Sequence, residues 1–182
     1  MIKNFKLIIQ YNGLFFHGWQ IQPNQITVQG EIESVLQSVF RGQKINLIGS
    51  GRTDSGVHAL GQVANVRIDT DYKSYEIKNI LNAHLNKKIW IIDCTEVNLD
   101  FHSRFSALSR VYEYHMTTSF SPFTHRRETL VKYDLNCEKL VECSNLIIGE
   151  KDFSIFCKLN CEVKNKICNV QKSVWCFDGN KM

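Results

Sequence analysis

Phe5, Leu7, Ile9 and Tyr11 alternate with Lys6, Ile8 and Gln10, a period of two that predicts a strand at the start of the chain. The stretch "GLFFHGWQIQPN" breaks the alternation and reads as an aromatic loop. Val28, Ile32, Val35, Leu36, Val39 and Phe40 then recur at helical spacing behind a capping Thr27, with Gly42 placed to end the helix. "KINLIG" predicts a short strand. Next, Leu60, Gln62, Ala64, Val66 and Ile68 define one face of a longer strand, with Val63, Asn65 and Arg67 on the other. Ser74 is placed to cap a second helix carrying Ile77, Ile80, Leu81 and Leu85, and "KIWIIDCTEV" is an apolar strand. The order strand, helix, strand, strand, helix, strand suits a split β-α-β layout, with both helices on one face of a mainly antiparallel sheet.

A similar order then begins again without any visible repeat of sequence. "RFSALSRVYEYHMT" alternates as a long strand, Asn136 caps a helix with Leu140, Val141, Cys143, Ile147 and Ile148, Gly149 closes it, and "KICNVQKSVWCF" alternates as a further strand. The expected fold class is therefore α+β, with two ferredoxin-like, RRM-like halves of which the second is incomplete. Residues 1–100 form the first half and residues 101–182 the second. A sheet that stops early leaves an edge with unpaired backbone groups, here beside Trp175 and Phe177.

Composition narrows the class. The 182 residues are 43% hydrophobic and 22% charged, enough apolar material for a core. Only Pro23 and Pro122 interrupt the chain as prolines, and no linker-like run appears, so two halves would be closely joined. No apolar run reaches the roughly 18 residues of a membrane helix. The N-terminal stretch lacks the apolar block and cleavage site of a signal peptide, so a cytoplasmic protein is expected. The seven cysteines include no C-x-x-C pair and predict reduced, mostly buried thiols rather than a metal set. A net charge of +4 permits a nucleic-acid partner without requiring one.

Chemistry concentrates in "LIGSGRTDSGVHALGQV", Leu47 to Val63. An aspartate in Thr-Asp-Ser-Gly is by itself often a turn former, bonding nearby N–H groups. The alternative is a reactive carboxylate on a tight loop. Gly49, Gly51 and Gly56 would let a ligand approach the backbone, and Arg52 would hold a phosphate or keep Asp54 ionised. His58 reads as a loop residue that orients the turn, and His17 as structural or RNA-facing. His102 and His115 have no evident partner. In the strand from Arg104, the residues Arg104, Arg110, Tyr112 and Tyr114 share parity, a pattern open to two readings. It is either a solvated face with ordinary cross-strand packing or a surface that holds a polyanion and stacks on bases.

Four stretches taken together decide among these readings: "YNGLFFHGWQIQPNQITVQGEIESVL", "GRTDSGVHALGQVANV", "FHSRFSALSRVYEYH" and "GEKDFSIFC". In order and spacing they resemble the tRNA pseudouridine synthase A family, from Lys6 to about Phe177. The resemblance implies an isomerase that converts uridines of the tRNA anticodon stem-loop, at tRNA positions 38, 39 and 40, to pseudouridine. It implies no cofactor, no metal, and a homodimer. Asp54 would be the catalytic residue, and Arg52 would hold the flipped nucleotide. Tyr112 would stack on the target base, and Arg104 would fill a basic position in the same segment. Members often carry a proline where this chain has "LNKKIW", a difference confined to a turn. They also continue past the strand near Phe177 with a Met-Val-Arg stretch whose arginine pairs with the catalytic aspartate. Roughly the last third of a typical member has no counterpart before Met182. The resemblance is therefore compatible with an active enzyme, a non-catalytic RNA-binding module, or an inactive fragment.

Overall fold

Strand β1 (Ile2–Tyr11) is the centre of the first sheet. In the computed structural model, which describes residues 1–157 and 165–182, it pairs antiparallel with β3 (Ala59–Asp69) on one side and β4 (Ile89–Val97) on the other. A two-residue strand, β2 (Ile48–Gly49), adds antiparallel to β3, giving the order β2-β3-β1-β4. With α1 (Val28–Val39) after β1 and α2 (Ser74–His84) after β3, this is the expected split β-α-β layout. The chain forms two compact units, Met1–Arg110 and Val111–Met182.

The pleat divides the residues of the first unit cleanly. Phe5 faces Val66 and Leu7 faces Ala64 across β1 and β3, all four being buried. Against that face pack Val28, Ile32 and Leu36 of α1 and Ile77 and Leu81 of α2, all without exposure. Each such side chain contributes about 1.5–3 kcal/mol relative to its exposed state, which is why the apolar period determines the layout. Thr27 caps α1 as expected, its hydroxyl accepting from Gly30 N–H at 3.2 Å. At α2 the cap is Lys73 rather than Ser74, since the Glu76 carboxylate accepts from Lys73 N–H at 2.7 Å. Ser74 instead accepts from Glu96 N–H on β4. "KINLIG" pairs only at Ile48 and Gly49, although Ile45 and Leu47 are buried. Leu60, assigned by parity to the buried face, is 71% exposed, because β3 opens into the loop before it and shifts register against β1 there.

The opposite face of the sheet carries a polar lock. Asn4 and Asn65 are fully or almost fully buried, and Asn65 Nδ2 donates to Asn4 Oδ1 at 3.0 Å. Asn65 Oδ1 accepts from both the backbone N–H and the hydroxyl of Ser103, at 2.9 and 2.5 Å. Asn4 Nδ2 reaches the carbonyls of Asn98 and Phe101. These bonds fasten residues 98–103 across the sheet.

The second unit departs from expectation in three places. Residues 103–105 form a turn, residues 107–115 belong to no regular element, and only Met116–Thr117 (β5) forms a strand, parallel to β6 (Thr129–Leu130). Alternation alone does not make a strand, which requires a neighbouring backbone to take its hydrogen bonds; Leu108, Val111 and Tyr114 are 79–98% exposed. Helix α3 (Cys137–Leu146) forms with the expected Asn136 cap. Gly149, at φ +94°, opens β7 (Gly149–Asp152) rather than directly closing that helix. The last predicted strand is shortened to β8 (Ile167–Val170), antiparallel to β7. Beyond it Trp175 and Phe177 are not in a strand, and their rings stack on one another at 6.1 Å. The thiols also differ from expectation. Cys94 is buried, but Cys137, Cys143, Cys168 and Cys176 are exposed and Cys157 is intermediate; Cys161 lies outside the described residues.

Candidate functional site: the loop that presents Asp54

Residues 50–58 connect β2 to β3, and the aromatic loop after β1 underpins them. Trp19 N–H donates to the Thr53 carbonyl at 3.0 Å, and Gly56 N–H donates to the Phe16 carbonyl at 3.4 Å. Gly18 sits at φ +85°, and a Cβ there would stand 2.5 Å from the Thr53 carbonyl oxygen. The two loops are therefore in backbone contact, which no side chain at position 18 would allow. On β3, the Gln62 amide donates to the Gly51 carbonyl at 2.7 Å and accepts from the Ser50 hydroxyl at 2.9 Å. Within the loop, Val57 N–H closes a turn onto the Asp54 carbonyl at 3.2 Å.

Asp54 itself is exposed, as are Arg52 and His58. Arg52 and Asp54 share the loop but form no ion pair with each other. Arg110 reaches the same loop, its guanidinium donating to the Ser50 carbonyl at 2.6 Å. Gly49 serves the fold rather than a ligand: a Cβ there would lie 2.6 Å from the indole nitrogen of Trp19.

Arg104 stands on the turn held by Ser103. Its N–H donates to His102 Nδ1 at 3.2 Å, and its guanidinium lies 5.7 Å from the centre of the Phe105 ring. His102 packs on the same ring at 4.4 Å, and His115 lies 3.7 Å from the Glu113 carboxylate, so both histidines have partners. His17 is exposed, with its backbone tied to Ile26 and Gln22. Tyr112 belongs to the second unit and is 68% exposed. Arg52 and Asp54 thus lie together on one loop with Arg110 bonded to it, whereas Arg104 occupies a separate turn.

The bracing residues Gly18, Trp19 and Gln62 carry no signal of reactivity in the sequence. Gly18 beside a bulky Trp19 was the available hint, since such a pair marks a tight approach of backbone to backbone.

The model of the family described as tRNA pseudouridine synthase matches residues 7–106, more than half of the chain. This chain belongs to that family. It is 36% identical over 171 residues to a tRNA pseudouridine synthase A of Agrobacterium fabrum, covering 91% of this chain and 64% of that protein. It is 35% identical over 183 residues to the protein of the same name from Halalkalibacterium halodurans, covering 100% of this chain and 70% of that one. It is 42% identical over 169 residues to that from Brachyspira hyodysenteriae, covering 91% and 68%. The chain therefore spans about two thirds of the length of these relatives. The matched region runs from Leu7 within β1 through β4 and contains the Asp54 loop and the turn bearing Arg104.

Proposed function

We propose that this chain isomerises uridine in tRNA to pseudouridine, with Asp54 as the reacting carboxylate. The observation that carries the reading is a Gly-Arg-Thr-Asp loop whose backbone is fastened at Ser50, Gly51 and Thr53 while the Asp54 side chain remains exposed. A carboxylate held in this way can meet a substrate without reorganising its own backbone.

The reaction is redox-neutral. The bond between N1 of uracil and C1′ of ribose breaks, the base turns, and C5 bonds to C1′. C5 loses a proton and N1 gains one. A carboxylate serves as nucleophile or as base in such a sequence, and the uridine must leave the helical stack to reach it. Arg52, on the same loop, is the proposed partner of the flipped nucleotide and its phosphate, and Arg104 a further backbone contact. Tyr112 is the proposed stacking platform, by its match to the Arg-x-Tyr-x-Tyr stretch of the family. In this scheme residues 1–100 carry the reacting loop and residues 101–182 the stacking residue. The anticodon stem-loop as target, a homodimer and a cytoplasmic location complete the proposal. Among the described residues no helix is long and apolar enough to cross a membrane.

The test is pseudouridine formation on unmodified tRNA by the 182-residue chain, beside a tRNA-binding measurement at several salt concentrations. The wild-type chain should form product. Asp54→Asn should bind tRNA and form none, and Tyr112→Ala should lose more turnover than Tyr112→Phe. Binding should weaken steeply with salt if Arg52 and its neighbours meet phosphates. Full turnover by Asp54→Asn overturns the assignment, and binding without product by the wild-type chain makes it an RNA-binding module instead.

A further inference from the structure

Thr53, the residue before Asp54, is gripped at both its side chain and its backbone. Its hydroxyl lies 2.8 Å from the hydroxyl of Tyr11, and its carbonyl accepts from Trp19 N–H at 3.0 Å. Tyr11 is the last residue of β1 and is 3% exposed. Its ring sits 6.1 Å from that of Trp19, so the phenol is fixed by the core before it reaches the loop. A tyrosine hydroxyl buried this deeply needs a hydrogen-bond partner, and Thr53 provides one. β1 also shifts register against β3 between Ile9 and Tyr11, an irregularity of the kind that re-aims a side chain at a strand end.

We infer that Tyr11 is a positioning residue: through its bond to Thr53 its hydroxyl sets the backbone from which Asp54 meets the substrate. The inference rests on the proposed role of Asp54. A purely structural Tyr11 would fill space with its ring and leave turnover unaffected once its hydroxyl was removed. A positioning Tyr11 acts through the hydroxyl. Tyr11→Phe separates the two roles because it keeps the ring.

Tyr11→Phe is expected to lower kcat about ten- to a hundred-fold, the cost of a misplacement on the scale of 1 Å, with KM for tRNA within about two-fold of wild type. Thr53→Val removes the same bond from its other end and should show the same kcat loss. The double variant should lose clearly less than the two single losses combined, since both singles break the shared Tyr11–Thr53 bond. Thr53→Ser, which keeps the hydroxyl, should lose less than Thr53→Val. Independently of turnover, amide hydrogen exchange in residues 50–58 should quicken about five- to ten-fold in Tyr11→Phe, as loss of a bond worth about 1 kcal/mol implies. Wild-type kcat and wild-type exchange in Tyr11→Phe overturn the inference, as do additive losses in the double variant. If Asp54→Asn is inactive while Tyr11→Phe turns over normally, this inference fails and the proposed function stands. If Asp54→Asn is fully active, or the wild-type chain is inactive, the proposed function fails and the exchange measurement alone decides whether Tyr11 orders the loop.

Discussion

Replacing Asn65 by alanine should be among the most costly single changes in the first unit, although the residue lies on the face of the sheet away from the helices. Asn65 is 1% exposed, and its amide bonds to Asn4 Oδ1, the Ser103 N–H and the Ser103 hydroxyl, with a longer bond to the Phe101 carbonyl, which Asn4 Nδ2 also serves. The hydroxyl keeps a second partner in the Ile48 carbonyl at 2.6 Å, so truncation leaves two buried groups unpaired, the Ser103 N–H and Asn4 Oδ1. Each such group costs about 1–3 kcal/mol, which places the loss near 4 kcal/mol. For a unit of about this size each kcal/mol lowers the melting temperature by about 4 °C, so a fall of about 15 °C is expected. Urea unfolding followed by tryptophan fluorescence, which reports Trp19 in the core, measures the free energy, and a thermal scan checks it. Asn4→Ala breaks the shared bond from the other side, so the double variant should be less destabilised than the two single losses summed. A loss below about 1 kcal/mol for Asn65→Ala would refute the claim that this lock holds residues 98–103 on the sheet, since it would fall under the cost of one orphaned group.

Two further predictions concern titration and reactivity. Burial, with Asp93 beside it, pushes the Cys94 thiol up to about 12, so at pH 8 iodoacetamide should label Cys137 and Cys143 in the native protein and spare Cys94 until urea is added. Mass mapping of the alkylated peptides checks this, and native labelling of Cys94 at the rate of the exposed thiols contradicts it. In the second unit Lys181 Nζ donates to a Glu128 carboxylate oxygen at 2.8 Å, holding the carboxyl below its usual range and the ammonium above its own. The lowered carboxyl contributes stability above the ordinary value of 4.5, which is lost as pH falls through the folded value. The raised ammonium contributes below 10.5, lost as pH rises through its folded value. Thermal scans should show the contribution level between these limits and reduced outside them, and Glu128→Gln should flatten both flanks.

The first unit was legible because its buried surface is written in two periods. Phe5, Leu7 and Ile9 at a spacing of two, and Val28, Ile32 and Leu36 at helical spacing, each point to a single face, and burying both faces together leaves few arrangements. Asn65 was read only by its parity opposite the apolar face, and nothing in its neighbours announces that it is buried. Its partners Asn4 and Ser103 are 61 and 38 residues away in sequence. The segment from Arg104 to His115 misled for the complementary reason. It has the alternation of a strand, but pairing depends on a neighbour that the segment itself does not specify.

The same contrast runs through the candidate site. Asp54, Arg52 and the glycines that flank them could be singled out from sequence because reactive groups and flexible backbone are locally unusual. What holds them could not, because support is supplied by ordinary residues from elsewhere in the chain. Tyr11 reads as the last apolar residue of a strand, Gln62 as a polar position on another, and Trp19 as part of an aromatic loop. Only the fold brings Tyr11 to Thr53, 42 residues away, and Gln62 to Gly51. Arg110 shows the difference most directly. By parity it belongs to a face that would hold a polyanion, yet its guanidinium is engaged at the Ser50 carbonyl, two residues before Arg52. A cation bonded to the loop still contributes charge there while losing freedom to follow a substrate. Its larger effect is therefore on the shape of the loop, whereas Arg52, exposed and not paired with Asp54, is the residue proposed above to meet a phosphate.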